Sequence, residues 1–256
     1  MSVPPEAAPA PRIVVADVPA SRGASWLGGG FAIFRAQPMA WIALSISFLV
    51  VLLAVAFIPF IGPAISGFLE PVFFASFALA AHKQLAGEKL EVTDLFLGFR
   101  SNVRTLVNLG AILLLLRIGI AFLMGAMGFP SMFESPEKMT PEDVANALDG
   151  KLWILAFGFL TVALVTAAAW FAPALIAFHG MSTSHALRWS LYAMVSNPGA
   201  LAVYFLAIFL MFIVAFIPWG LGLLVALPTL FASTYVAYRN VFETPPPAAP
   251  APTAPP

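Results

Sequence analysis

Long apolar segments alternate along this chain with short mixed segments that carry most of the charged side chains. A hydrocarbon core of about 30 Å needs about 20 helical residues, and six of the apolar segments reach that length. The pattern therefore predicts an all-α, polytopic membrane bundle. Its six transmembrane helices are expected at residues 39–58, 62–81, 103–125, 152–178, 198–217 and 219–237.

Three mixed segments each precede the first span of a helical hairpin, and two of them have the period of an amphipathic helix. In the first of them, Leu27, Phe31 and Phe34 recur at i, i+4 and i+7, as Leu187, Leu191 and Met194 do in the third. Each set predicts one apolar face. We expect interfacial helices at residues 26–36, 94–101 and 185–195. The side chains expected at the lipid–water interface are Trp26, Arg35, His179, Arg188 and Trp189.

A short motif recurs where each mixed segment meets its span. Gln37-Pro38, Asn102-Val103 and Asn197-Pro198 place an amide at the N-cap, twice followed by a proline that needs no N–H. A proline also recurs within the second span of each hairpin, where we expect kinks rather than helix ends. These prolines are Pro71, Pro173 and Pro228. The recurrences predict three parallel repeats, at about residues 24–91, 92–181 and 182–243.

Both ends of the chain are rich in proline and alanine and poor in large apolar residues. Such segments bury too little surface to offset the entropy of ordering, so we expect disordered tails at 1–22 and 244–256, around a transmembrane domain at 23–243. In the long connection between the third and fourth spans, Thr140 and Pro141 predict the start of a short helix that ends near Leu148.

Composition explains why the solvent must be lipid. The chain is 61% hydrophobic and only 9% charged, whereas soluble domains carry about a quarter charged residues. Its formal net charge is zero, which gives no electrostatic reason to expect nucleic acid as a partner. With no cysteine, disulfides and thiol chemistry are excluded.

The distribution of Lys and Arg predicts the orientation. With the N-terminus inside, only Lys138 and Lys151 fall outside. Because short cytoplasmic loops are enriched in Lys and Arg, we expect an inner-membrane protein with both termini cytoplasmic. The basic residues then on the cytoplasmic side are Arg12, Arg22, Arg35, Lys83, Lys89, Arg100, Arg104, Arg188 and Arg239.

Two charged residues, Glu70 and Arg117, fall well inside predicted spans. At 1.5 Å per helical residue they lie at similar depths, about 12 and 16 Å from the outer surface. An intramembrane charge is costly unless it is paired or hydrated, so we hypothesise an ion pair between spans two and three. The pair could fix the register of two hairpins, or it could line a polar cavity for an anionic ligand.

The remaining candidate groups give no catalytic pattern. His82, His179 and His185 fall near helix ends, where histidine usually caps carbonyls, and the last two lack the i, i+4 spacing of a helical metal site. No phosphate-binding loop, dinucleotide fingerprint or catalytic pair of carboxylates is present in the sequence. We therefore expect no metal, no cofactor and no enzymatic activity.

Residues 170–182, which read W-F-A-P-A-L-I-A-F-H-G-M-S, resemble the signature segment of a family of uncharacterised bacterial integral membrane proteins. The resemblance extends over Trp26 to Phe242 and includes Gly30 and Phe34 in the first mixed segment. It implies a six-span inner-membrane protein without an established activity. Glu70 falls outside the pattern.

These observations leave three functional hypotheses. The first is a non-enzymatic structural or interaction module whose partners are the lipid bilayer and either another membrane protein or a second copy of the chain. The alternative is a small transporter with a polar site at Glu70 and Arg117. A lipid-modifying enzyme comes third, and would need His82 or His179 as its base.

Overall fold

The computed structural model describes residues 13–59, 61–127, 150 and 152–242. The described part is built from helices and contains no strand. The helix predicted to end near Leu148 and the tail at 244–256 lie outside it. The helices are α1 (Ser21–Ala36), α2 (Pro38–Ala56), α3 (Gly62–Leu85), α4 (Leu97–Arg100), α5 (Val103–Ala126), α6 (Leu152–Trp170), α7 (Ala172–His179), α8 (Thr183–Ser196), α9 (Pro198–Phe216) and α10 (Leu223–Phe242), with a 3-10 helix at Val92–Phe96 before α4.

Five helical stretches in the described residues are long and apolar enough to cross a membrane: α2, α3, α5, α6 together with α7, and α9. Helix α10, predicted as the sixth span, has 20 residues but is not among them. Its sequence includes Pro228, Thr229, Tyr235, Tyr238 and Arg239, which lower its hydropathy. Many residues of α10 are buried against other helices. Fewer of its side chains therefore need to be apolar than in a helix that faces lipid on most sides.

The core lies where α3, α7 and α10 meet. Phe77 of α3 stacks on Phe231 of α10, with ring centroids 3.9 Å apart. Phe178 of α7 packs against the rings of Tyr235 and Tyr238, which are almost fully buried. Aromatic side chains bury large apolar areas, so this cluster holds together three helices from distant parts of the chain.

The three recurrent prolines have two different roles. Pro71 and Pro228 lie inside α3 and α10, but Pro173 stands in the first turn of α7. At Pro173 the helix is interrupted at Phe171, but Leu152–His179 still forms one stretch long enough to span a membrane, so the kink stays a prediction. The Ser190 hydroxyl fills this break: it accepts a hydrogen bond from the Phe171 N–H and donates one to the Ala167 carbonyl, both at 3.0 Å.

Helix α1 packs through a face that overlaps the predicted apolar face only at Phe34. Its buried residues are Gly23, Trp26, Gly30, Ile33 and Phe34, whereas Phe31 is 44% exposed. A Cβ at Gly30 would lie 2.5 Å from the backbone nitrogen of Ser233, so only glycine allows this approach to α10. Small residues let helices approach closely, and here they outweigh hydrophobicity in deciding which face is buried.

The other two interfacial helices also differ from prediction. The segment predicted at 94–101 is the 3-10 helix followed by α4. A capping box closes its start, since Glu91 and Asp94 each accept a hydrogen bond from the other's backbone N–H. Helix α8 buries small residues, Ala186, Ser190 and Ala193, while its larger side chains are half-buried or, at Tyr192 and Val195, exposed.

The N-terminal segment, residues 13–20, packs against the end of the chain. The Ala16 N–H donates to the Val241 carbonyl at 2.8 Å, and the Val18 N–H donates to Asn197 Oδ1 at 2.7 Å. Helix α1 then begins at Ser21. The predicted boundary of a disordered tail at residue 22 is therefore wrong, because these backbone groups find partners in the last two helices.

Candidate functional site

Glu70 on α3 and Arg117 on α5 form an ion pair. Arg117 donates to both carboxylate oxygens, at 2.7 and 3.3 Å. The side chains are 37% and 49% exposed, so the pair lies at the edge of the packed core rather than within it. Glycine sets the helix register, since a Cβ at Gly110 of α5 would lie 2.7 Å from the Gly67 carbonyl oxygen of α3.

The pair borders a small cavity of about 100 Å³ between α3, α5, α6 and α10. Thr166, Trp170 and Thr234 contribute to its lining together with Glu70 and Arg117. The indole N–H of Trp170 is buried and has no hydrogen-bond partner within the described residues. At about 30 Å³ per molecule, a cavity of this size corresponds to roughly three waters.

Two histidine–tyrosine pairs lie beside the aromatic core. His82 Nδ1 is 2.7 Å from the Tyr235 hydroxyl, and His179 Nε2 is 2.7 Å from the Tyr238 hydroxyl. Both histidines are exposed and both tyrosines are buried. These bonds connect α3 and α7 to α10. They give each buried tyrosine hydroxyl a partner, which is a structural role.

The other candidate residues are dispersed. His185 is exposed in the first turn of α8, and no group of three or more His, Asp or Glu residues with metal-site geometry occurs in the described residues. Arg35 and Arg188 are exposed, while Trp189 is half-buried with its ring 6.0 Å from that of Tyr192.

Trp26 does not lie at the interface as predicted. It is fully buried, with its ring edge-on to Tyr204 at a centroid distance of 5.4 Å. The prediction is wrong because α1 buries this face against α9 and α10.

The amide side chains at the three junctions between a mixed segment and its span, here called the junction amides, make contacts that were not predicted from the sequence. Gln37, Asn102 and Asn197 stand at the N-caps as predicted, but none of the side chains caps its own helix. Each binds backbone from a distant segment. Gln37 donates to the Glu88 carbonyl and accepts from the Leu90 N–H, at 3.1 and 3.0 Å.

The other two junction amides also bind the backbone of segments distant in sequence. Asn102 donates to the Ile176 carbonyl at 3.1 Å. Asn197 accepts from the Val18 N–H and donates to the carbonyls of Ala16 and Ala193, at 2.7, 3.1 and 3.1 Å. The common feature is a junction amide that bonds to the backbone of a segment distant in sequence, which for Asn102 is helix α7. The only sequence signal is the recurrence of the amide at each junction.

A probable inner membrane protein of Burkholderia thailandensis is 30% identical to this chain over 269 aligned residues, which cover 91% of this chain and 96% of the relative. The chain belongs to the same family as this relative. It is therefore a multi-pass inner-membrane protein, as its apolar helices also indicate. No family model and no solved structure matches this inner-membrane protein, so the signature in residues 170–182 stays a prediction.

Proposed function

We propose that this inner-membrane protein is a non-enzymatic structural or interaction module. In this proposal, six spans form three repeated hairpins, and both termini are cytoplasmic. The observation that carries the proposal is a cycle of contacts that closes the chain on itself.

The junction amides define the cycle. Gln37 holds residues 88–90, which lead into the 3-10 helix and α4. Asn102 holds Ile176, which leads towards α8, and Asn197 holds the N-terminal segment, which leads into α1. Each amide thus binds the backbone that precedes the next interfacial segment, and the third returns to the first.

The sixth span is supported by the packing of α10. Helix α10 follows α9 after a short turn, and its Phe231 and Tyr235 reach the centre of the bundle. With 20 residues it extends about 30 Å, the thickness of the hydrocarbon core. A sixth crossing returns the C-terminus to the side of the N-terminal segment, which the Ala16–Val241 hydrogen bond also favours.

A closed cycle of contacts favours a rigid structural module over a transporter whose two halves move against each other. Transport by alternating access requires one repeat to rock against another. Here α1 packs on α10, and the N-terminal segment ties α9 to the end of α10. Opening the bundle would break these contacts, so the fold suits a rigid platform.

Helix α8 offers a surface for a membrane partner or a second copy. Tyr192 and Val195 are 59% and 69% exposed, beside Arg188 and Trp189. Photo-crosslinking in native membranes tests this surface. A benzoylphenylalanine at position 192 should give one discrete protein adduct, whereas the same residue at Leu160, 69% exposed on α6, should not. Adducts with lipid alone at both positions would contradict an interaction role.

A small transporter is the second candidate, supported by the ion pair that borders a cavity lined also by Thr166 and Thr234. A thermal-shift screen of small anions in detergent tests it. A transported anion should stabilise the native protein and the Arg104→Ala variant, and should fail to stabilise Arg117→Ala. Absence of any stabilising anion would count against this candidate.

A further inference from the structure

Three exposed arginines lie on the segments where α4, α5 and α8 adjoin. Arg100 ends α4, Arg104 is in the first turn of α5, and Arg188 is in the second turn of α8. None of the three forms an ion pair or a hydrogen bond through its side chain with another described residue. Their guanidinium groups are therefore available to a ligand. We call these three side chains the basic surface.

The segments that carry the basic surface are joined directly. The Thr105 carbonyl, next to Arg104, accepts a hydrogen bond from the Thr183 hydroxyl at the start of α8, at 3.3 Å. Arg188 is five residues after Thr183, about 7.5 Å along α8. Arg100 precedes Arg104 by four residues, across the junction into α5. The three arginines therefore lie on adjoining segments.

The basic surface lies at the level of the lipid headgroups. Helix α5, helix α9 and the stretch formed by α6 and α7 are long and apolar enough to cross a membrane. Arg104 is the second residue of α5. Helix α8 connects His179, where one such stretch ends, to Pro198, where the next begins. Because the ends of spans meet the headgroup layer, the basic surface lies there too, whichever leaflet it faces.

The charge of this region has one sign. No Asp or Glu occurs in the described residues 95–127 and 152–242, which include α4, α5 and α8. Outside the spans, the described residues 13–94 instead hold equal numbers of basic and acidic residues. These are Arg22, Arg35, Lys83 and Lys89 against Asp17, Glu88, Glu91 and Asp94. The excess positive charge therefore comes from the part of the chain that carries the basic surface.

Two acidic residues border the basic surface, and neither neutralises it. Asp94 is bound by Lys83, whose Nζ is 2.8 and 3.0 Å from the two carboxylate oxygens. Asp17 lies in the N-terminal segment that bonds to Asn197. Asn197 is nine residues beyond Arg188, about 13 Å along α8. A ligand must therefore supply the negative charge that the protein does not.

The surroundings of the arginines select the class of ligand. A phosphate matches the planar guanidinium, which can bind two of its oxygens at once. Val92 and Phe96, just before α4, are 48% and 44% exposed, and such apolar side chains are stable among acyl chains. A phospholipid offers both a phosphate and acyl chains. A zwitterionic lipid also brings an ammonium group, which arginines without acidic neighbours repel. The best match is a phospholipid with a net negative headgroup.

We propose that the basic surface binds the headgroup of an anionic phospholipid. Its phosphate is held by the guanidinium groups of Arg100, Arg104 and Arg188, and its chains lie beside the apolar residues before α4. This surface is additional to the proposed function. Only the leaflet, which is the cytoplasmic one, rests on the orientation proposed there.

Native mass spectrometry of delipidated protein in detergent tests the proposal. The probes are equal amounts of dioleoyl phosphatidylglycerol and dioleoyl phosphatidylcholine, which share their acyl chains and phosphate and differ in net charge. The native protein should retain the anionic lipid preferentially. Arg104→Gln and Arg188→Gln should each lower this preference roughly fivefold.

Three control variants separate the basic surface from charge in general. Arg35→Gln and Lys89→Gln remove the same charge at exposed sites in the balanced part of the chain, so they should leave the lipid preference unchanged. Arg104→Lys keeps the charge and should retain most of the preference. All of these sites are exposed, so each variant should give the circular dichroism spectrum of the native protein.

Three results would overturn the proposal. They are equal retention of the two lipids by the native protein, equal loss of preference in Arg35→Gln and Arg104→Gln, and displacement of the bound lipid by glycerol 3-phosphate, which has no acyl chains. The last result would indicate a site for soluble phosphate. None of them changes the crosslinking expected from position 192, so failure of this surface is distinct from failure of the proposed function.

Discussion

Three consecutive glycines in α1 provide a graded test of how this helix is held. A Cβ added at Gly28 meets nothing within 4 Å, while one at Gly29 meets only the Val236 side chain, at 3.0 Å. One at Gly30 would lie 2.5 Å from the Ser233 nitrogen and Cβ and 2.6 Å from its Cα. Alanine at each site brings a similar gain in helix propensity, about 0.5–1 kcal/mol.

The difference in unfolding free energy between the alanine variants therefore reports the packing of α1 against α10. Overpacking against a rigid neighbour costs about 1–3 kcal/mol. Gly30→Ala should be less stable than Gly28→Ala by about that amount, because the Ser233 backbone must move. Gly29→Ala should fall between them, since the Val236 side chain can shift by a few tenths of an ångström.

Unfolding in mixed micelles with increasing SDS, followed by circular dichroism, measures these differences. Trp26 adds a local signal, because it is buried on the same face of α1 as Gly30. Its fluorescence should shift to longer wavelength in Gly30→Ala before global unfolding. Equal stability of Gly28→Ala and Gly30→Ala would refute the packing of α1 on α10.

Four further predictions follow from contacts described above. Glu70→Gln should destabilise the protein in nanodiscs by about 2.5–3.5 kcal/mol, because it leaves Arg117 unpaired in the bilayer, and the double variant with Arg117→Gln should lose less than the sum of the single changes. Asn197→Ala should free the N-terminal segment for limited proteolysis, and protection equal to that of the native protein would contradict this. Ser190→Ala should cost about 1–3 kcal/mol in the same SDS assay by leaving two backbone groups unpaired, whereas Ser196→Ala, at an exposed site, should cost little. In this cysteine-free chain, a cysteine at Asn240 should react with an impermeant maleimide in inverted vesicles and not in spheroplasts; the reverse would place the C-terminus outside.

Span positions could be predicted because they depend on long averages of hydrophobicity. Helices α2 and α9 begin at Pro38 and Pro198, the first helical residues proposed from sequence. The ends differ by a few residues, as in α3, which continues to Leu85 rather than 81. In that helix Lys83 is held by the carboxylate of Asp94, a contact that sequence spacing does not reveal.

Buried faces and long-range contacts could not be predicted in the same way. Hydrophobic periodicity selected Leu27, Phe31 and Phe34, of which only Phe34 is buried, and α1 also buries a glycine that lets it approach α10. In lipid, a large apolar side chain is as stable facing the hydrocarbon as facing another helix. Hydrophobicity therefore does not identify the side of a helix that packs against the protein. The pairing of Glu70 with Arg117 could be hypothesised only because intramembrane charges are rare.

The hydrogen bonds from Asn197 to the N-terminal segment impose an order on biogenesis. Val18 and Asn197 are 179 residues apart. At about 5–20 residues per second, the ribosome needs roughly 10 to 35 s to make the interval between them. Through that time α1 must wait at the bilayer surface with its glycine face uncovered. The glycine face of α1 can therefore be buried only after α10 has been made. A chain released before that point would leave this face uncovered.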